Sequence, residues 1–461
     1  MGFRRAYMAG WLALLLALVS CAKDDHFTRG VEGGSSDART SPTRSETKPN
    51  RQVLILVSAG VNSLRTELKA DQLELAGNAL PVGTEPDAHV LLVLSQFDDY
   101  QVVLDTFTNK NTSKLVRQQP VLYRMYAAPT GEVVRDTVMR WEQSASLCDP
   151  AVFQDALGQV YHHYPAKGYG MIFSSHATGW LPEGYYFNPA LVDPQYNPAS
   201  SGPRKMPAWN GAWAELFPPL EVEGEPAVKS IGQDDQSTGS LEMDLDAFAD
   251  ALPFHLDYLL FDACLCGCVE VAHALRDKVD LLGFSPTEVL SNGLDYTTLS
   301  GHLLRNSPDP IAVCRDYFDY YDRQSGVMRS ATIALLDLRQ MDALEQVCKD
   351  LFARYREPLS QLDGTNVQGY FRANRHFFYD LKDILVKAGI TAEEQAQLDQ
   401  ALSQCVLYKA ATDWFMQDGR YGFPIRTFSG MSMYLPSMGT DMLDQYYKAH
   451  ISWNQATGLV Q

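Results

Sequence analysis

From residue 51 onward the chain alternates short, uninterrupted apolar runs with amphipathic stretches. VLILV (53–57) and HVLLVL (89–94) are the kind of continuous apolar run that strands make when helices cover both faces of a parallel sheet. CDPAVFQDALGQVYHHYP (148–165) changes period: Asp149 fits an N-cap and Pro150 the first turn, and Val152, Phe153, Ala156, Leu157, Val160 and Tyr161 recur on one helical face. A strand, YGMIFSSH (169–176), follows, and then a loop rich in Pro, Gly, Tyr and Trp from about 179 to 230. SLEMDLDAFADALP (240–253) reads as a helix through Leu241, Leu245, Phe248 and Leu252. It leads to a strand DYLLF (257–261), a helix over 269–276 and a strand DLLGFS (280–285). ATIALLDL (331–338), a helix in RQMDALEQVCKDLFARY (339–355) and a last strand, GMSMYLP (430–436), continue the style. This alternation predicts an α/β fold, a mostly parallel, doubly wound sheet flanked by helices. The expected division is an α/β core over 51–305 and a helix-rich C-terminal subdomain over 306–461 packed on that core.

The first 50 residues follow another pattern. Arg4 and Arg5 precede an apolar stretch, Trp11–Val19, that is short for a membrane span, so residues 1–20 read as a signal peptide. The sequence Leu18-Val19-Ser20-Cys21 resembles a bacterial lipobox, which makes Cys21 the expected lipidated N-terminus. CAKDDHF after it resembles the lysine-plus-acid signal of surface lipoproteins of Bacteroidetes. The rest of 21–50 is too polar to bury a core and reads as a flexible tether. These features place the protein at the outer membrane, in the periplasm or on the cell surface. A net charge of −18 argues against nucleic acid as a partner and suits a basic substrate. Eight cysteines at irregular spacing do not form a disulfide framework.

In an open parallel sheet, chemistry collects at the carboxyl ends of the strands. Two predicted strands end in reactive side chains: YGMIFSSH at His176 and DYLLFDAC at Cys264. If both run parallel in one sheet, a thiol and an imidazole emerge at the same edge. That pairing supports nucleophilic catalysis, in which the imidazole helps form thiolate and later protonates the leaving amine. Cys266 and Cys268 lie close to Cys264, but no second pair of ligands stands at zinc-like spacing, so a metal clip is disfavoured. A disulfide among the three would strain a turn that must enter a helix. His162 and His163 read as solvated helix surface.

LLFDACLCGCVEVAHAL (259–275) resembles the nucleophile segment of the clostripain-like (C11) cysteine peptidases, and IFSSHATGWLP (172–182) resembles their histidine segment. SIGQD (230–234), GLDY (293–296), FYDLKDIL (378–385), SGMSMYLP (429–436) and ISWNQATGL (451–459) also match, in order, so the resemblance spans roughly residues 50–461. It implies a caspase–gingipain-like fold and hydrolysis of peptide bonds after Arg or Lys. By position it implies Cys264 as nucleophile, His176 as general acid/base, the backbone N–H groups of Cys264 and Ala177 as the oxyanion hole, and Asp262, with Asp295 as a second candidate, in the S1 pocket. Two departures bear on substrate preference: Ala177 replaces the family's glycine after the histidine, and Cys266 replaces its usual methionine.

A thiol–imidazole mechanism requires no cofactor, and calcium dependence is not readable from the residues. The expected partners are a protein or peptide substrate and, through the lipid, a membrane; the chain is expected to be a monomer. Relatives are often cut between the histidine and the cysteine, and Arg204, Lys205 and Lys229 offer basic sites there. The alternative is a catalytically silent binding lipoprotein that grips peptide or glycan with Tyr185, Tyr186, Trp209 and Trp213. Acyl transfer to an amine would use the same dyad.

Overall fold

The computed structural model describes residues 51–105, 110–185, 231–236, 239–370, 377–417 and 422–461, all within one compact unit, Arg44–Gln461. Its centre is a ten-stranded mixed sheet. In chain order its strands are β1 (Gln52–Gly60), β2 (Val90–Asp105), β3 (Lys110–Arg117), β4 (Val121–Ala127), β5 (Val133–Arg140), β6 (Gly168–Ser174), β9 (Leu256–Asp262), β10 (Val279–Phe284), β11 (Thr332–Asp337) and β13 (Val406–Ala411), while β7 (Ile231–Gln236) with β8 (Gly239–Met243), and β12 (Tyr379–Asp380), belong to small two-stranded sheets. The sheet order is β13-β11-β10-β9-β6-β1-β2-β4-β5, with β3 on the far half of β2. The five central strands, β10, β9, β6, β1 and β2, are mutually parallel; the outer pairings are antiparallel.

β1 pairs with β2 on one side and β6 on the other, so the strand order reverses there, as in folds that bind ligands at such a crevice. The apolar runs are continuous because alternate residues enter two different cores. Ile55, Val57, Met171, Phe173, Leu259 and Phe261 face one layer, which includes the helices α2 (Pro150–His163), α3 (Leu245–Asp250) and α4 (Val269–Leu275). Leu54, Leu56, Ile172, Tyr258 and Leu260 face the other, formed by α1 (Arg65–Ala76), α5 (Tyr296–Leu303) and α6 (Pro310–Asp322). The Asp149 side chain accepts a hydrogen bond from the Ala151 N–H and caps α2, with Pro150 in its first turn.

Several elements depart from the periodicity. Leu241 belongs to strand β8, opposite Asp234 of β7, and the helix read over 240–253 spans only Leu245–Asp250. A leucine four residues before another mimics a helical face even when a strand ends between them. Within 430–436 only Ser432–Met433 is strand; it pairs with β12 in a separate two-stranded sheet. Strands β3, β5 and β13 carry exposed or partly buried polar positions with no continuous apolar run to mark them.

Candidate active site

The parallel register of β6 and β9 pairs Ser174 with Asp262 as the last rung. His176 and Cys264 each lie two residues beyond that rung, at the carboxyl ends of two adjacent parallel strands. His176 is 1% exposed and Cys264 8%. Their loops interlock. Gly179, at φ +62°, lies against the Leu265 carbonyl, where a built Cβ would stand 2.6 Å away, and its N–H donates to the Cys266 sulfur. Leu265 itself sits at φ 58°, a strained conformation for a leucine that turns the chain sharply after Cys264.

The His176 loop is braced by β1 and β7. Ser175 Oγ donates to the Ala59 carbonyl at 2.8 Å, the Gln233 N–H donates to Ser175 Oγ at 3.2 Å, and the Gly232 N–H donates to the His176 carbonyl at 3.0 Å. Ser63, just after β1, places its hydroxyl 2.9 Å from His176 Nε2. Nothing in the sequence marks this serine, because its contact crosses 113 positions. The Cys264 sulfur lies against the Val289 peptide: the Val289 N–H donates to it at 3.3 Å, and its own S–H points to the Val289 carbonyl at 3.7 Å.

The neighbouring thiols are of another kind. Cys266 and Cys268 are wholly buried, and desolvation pushes both well above the ordinary thiol range, which keeps them protonated. The Ala177 methyl is packed in the core and the residue has no positive φ, so its added carbon neither crowds the edge nor strains the turn. The Ala177 N–H meets no acceptor among the described residues, as an oxyanion donor requires.

Asp262 is buried and faces the α1/α5 layer. It accepts hydrogen bonds from Tyr296 Oη at 2.8 Å, from Ser174 Oγ at 3.3 Å and from the Leu294 N–H. Burial raises its carboxyl despite these bonds. Asp295 uses its carboxylate to cap α5, accepting from the Thr297 N–H at 3.0 Å. Tyr185 is buried against Phe377; Cys21, Tyr186, Arg204, Lys205, Trp209, Trp213 and Lys229 lie outside the described residues.

The C-terminal segment clasps the nucleophile turn. The Ser432 N–H donates to the Gly267 carbonyl at 2.8 Å. Glu270 Oε1, on the helix that follows Cys264, accepts from the Tyr434 N–H at 2.8 Å and Tyr447 Oη at 2.7 Å. Trp180 of the histidine loop packs on the rings of Tyr434 and Tyr447, so one aromatic cluster holds both loops. Burial pushes the Glu270 carboxyl up from 4.5 to about 7. The native state therefore binds more protons than the unfolded chain between these values, and stability falls as pH rises through that window. Glu270→Gln keeps an oxygen acceptor and removes the titration. Thermal unfolding from pH 4.5 to 8 is expected to show the wild type losing up to a few kcal/mol relative to the variant; parallel curves would contradict the shift.

The fold is shared with solved structures. An inactive zymogen of a C11 protease from Parabacteroides distasonis superposes with a TM-score of 0.65 at 22% identity, covering 90% of this chain and 99% of that one. A secreted C11 cysteine protease from Bacteroides thetaiotaomicron, in complex with an irreversible peptide inhibitor, superposes with a TM-score of 0.65 at 21% identity, covering 88% and 99%. No curated protein matches the sequence. The model of the clostripain family matches residues 220–457, more than half of the chain and the whole nucleophile segment, and the protein belongs to that family of cysteine peptidases.

Proposed function

We propose that the protein is an endopeptidase that cleaves after Arg or Lys through a Cys264–His176 dyad. The observation that carries this reading is the β6–β9 register, which sets the two residues at equal distance beyond the Ser174–Asp262 rung. His176 accepts the Cys264 proton, the thiolate attacks the scissile carbonyl, and His176 returns the proton to the leaving amine; water then releases the acyl group. The N–H groups of Ala177 and Cys264 receive the oxyanion. Asp262, buried beside the nucleophile, meets the basic side chain of the residue before the cut. The inhibitor-bound relative accepts a peptide in the same fold, which supports a peptide substrate here.

Lipidation at Cys21 would tether the enzyme to a membrane surface. Among the described residues no helix is long and apolar enough to cross a membrane.

The test is labelling with acyloxymethyl ketones that carry Lys, Arg or norleucine at the reactive position. The expected result is an adduct on Cys264 with Lys and Arg only, lost in His176→Ala, and a loss of basic preference in Asp262→Asn. Labelling elsewhere, or an Asp262→Asn variant with unchanged preference, would overturn the assignment.

A further inference from the structure

We propose that Asp71, on α1, is the second carboxylate of the pocket for the substrate's basic side chain, so that Asp71 and Asp262 set the charge preference together. The inference rests on the reading of Asp262 given above.

Helix α1 buries Leu68, Asp71, Gln72 and Leu75. The two polar members of that face differ sharply. Gln72 is fully engaged: its Nε2 donates to Ser95 Oγ at 3.2 Å, and its Oε1 accepts from Tyr123 Oη at 2.8 Å. Asp71 is 6% exposed, and it accepts no hydrogen bond and forms no ion pair with any described residue. The charged groups that act on it are Asp262, Glu74 and Glu67, all acids. Glu67, Asp71 and Glu74 stand at i, i+4 and i+7, on one face of the helix. The Glu67 Oε2 atom is buried as well and has no hydrogen-bond partner among the described residues.

Asp262 lies opposite, because its position in β9 has the parity of Tyr258 and Leu260, which face the α1/α5 layer. Gly293, at φ +60°, passes so close that a built Cβ would stand 2.5 Å from the Asp262 carboxylate, and this pins the acid from above. Tyr296 Oη donates to Asp262 and feels the field of Asp71 too. Asp295 acts on Glu74 from the same side. No Lys, Arg or His stands among the groups that act on Asp71 or Asp262.

Two buried carboxylates without a cation between them are costly, because each is desolvated and each repels the other. With nothing bound, that conflict is relieved by holding a proton, and burial together with Asp262 raises the Asp71 carboxyl accordingly. A cation inserted at the pair removes the repulsion and lets both ionise. The guest that suits the reading of Asp262 is an organic cation, the ammonium of lysine or the guanidinium of arginine. A hydrophobic or neutral side chain would leave both acids buried and unmatched.

The experiment compares kcat/KM on peptides identical except for Lys, Arg, citrulline or norleucine before the scissile bond, for wild type, Asp71→Asn and Asp262→Asn. Citrulline keeps the shape of arginine without its charge. Asp71→Asn is expected to lose ~10- to 100-fold on Lys and Arg and to stay within ~3-fold of wild type on citrulline. Its melting temperature should hold or rise, because an amide carries neither the desolvation cost of an ionised acid nor the repulsion from Asp262; a residue with only a structural role would lower it. Glu67→Gln, further out on the same face, should lose the same preference by a smaller factor and serves if Asp71→Asn folds poorly. A wild type that prefers Lys and Arg, with Asp71→Asn and Glu67→Gln keeping the full preference, overturns this proposal alone. A wild type that treats arginine and citrulline alike overturns the reading of Asp262 and this proposal with it.

Discussion

Replacing Cys264 with alanine is expected to lower kcat/KM on peptides with Lys or Arg before the cut by ~10⁴-fold or more, while the protein keeps its fold. The fold survives because the thiol is a small group at the sheet edge whose contacts with the Val289 peptide are long ones. The activity does not, because no other thiol can replace it. Cys266 and Cys268 are closed off from solvent and held protonated by burial, so Cys266→Ala and Cys268→Ala should retain most turnover and lose only packing stability. Substantial activity left in Cys264→Ala would assign the chemistry elsewhere. Intact masses of the membrane-extracted wild type and Cys264→Ala read two further points. A wild type cut after Arg204, Lys205 or Lys229, beside an uncut variant, is the signature of self-processing. An N-terminus at diacylglyceryl-modified Cys21 in both is the signature of the anchor, and an unmodified one would remove it.

The second large effect is expected from Gly179→Ala. The position has φ +62°, and the new methyl would meet the Leu265 carbonyl at 2.6 Å and the Cys268 sulfur at 3.3 Å. The left-handed conformation costs an alanine ~1–2 kcal/mol, and the clash falls on backbone, which cannot swing aside. Relief comes only if the histidine loop moves off the cysteine turn. For the proposed dyad, a displacement of that order is expected to cut kcat by ~10²-fold, and the strain to lower the melting temperature. An active, equally stable variant would show that the two loops are not held together through this glycine.

The central sheet was legible because its strands are covered on both faces and so read as unbroken apolar runs: VLILV, HVLLVL and DYLLF all fall within strands β1, β2 and β9. The outer hairpin was not, since KNTSKLVR keeps only a few partly buried positions among exposed polar ones. Leu241 was misplaced because four-residue spacing is blind to a chain that changes from strand to helix at Asp244. At the site, His176 and Cys264 could be read because each ends an apolar strand. Ser63 and Asp71 could not. A serine after a strand and an acid within an amphipathic helix are ordinary locally, and only the contact of Ser63 with His176 and the burial of Asp71 on the inner face of α1 give them meaning.

The clasp by the C-terminal segment has a consequence in time. The Gly267 carbonyl and the Glu270 carboxylate, which fix the turn and helix after the nucleophile, are bonded to Ser432 and Tyr434, 165 and 164 positions downstream. Contacts of such separation form late, because loop closure must be completed before they contribute. A chain emerging from the ribosome carries its thiol and its imidazole long before the segment that shapes their surroundings. Hydrolytic competence thus arrives with the last part of the polypeptide, which leaves the machinery that makes it facing an unfinished enzyme.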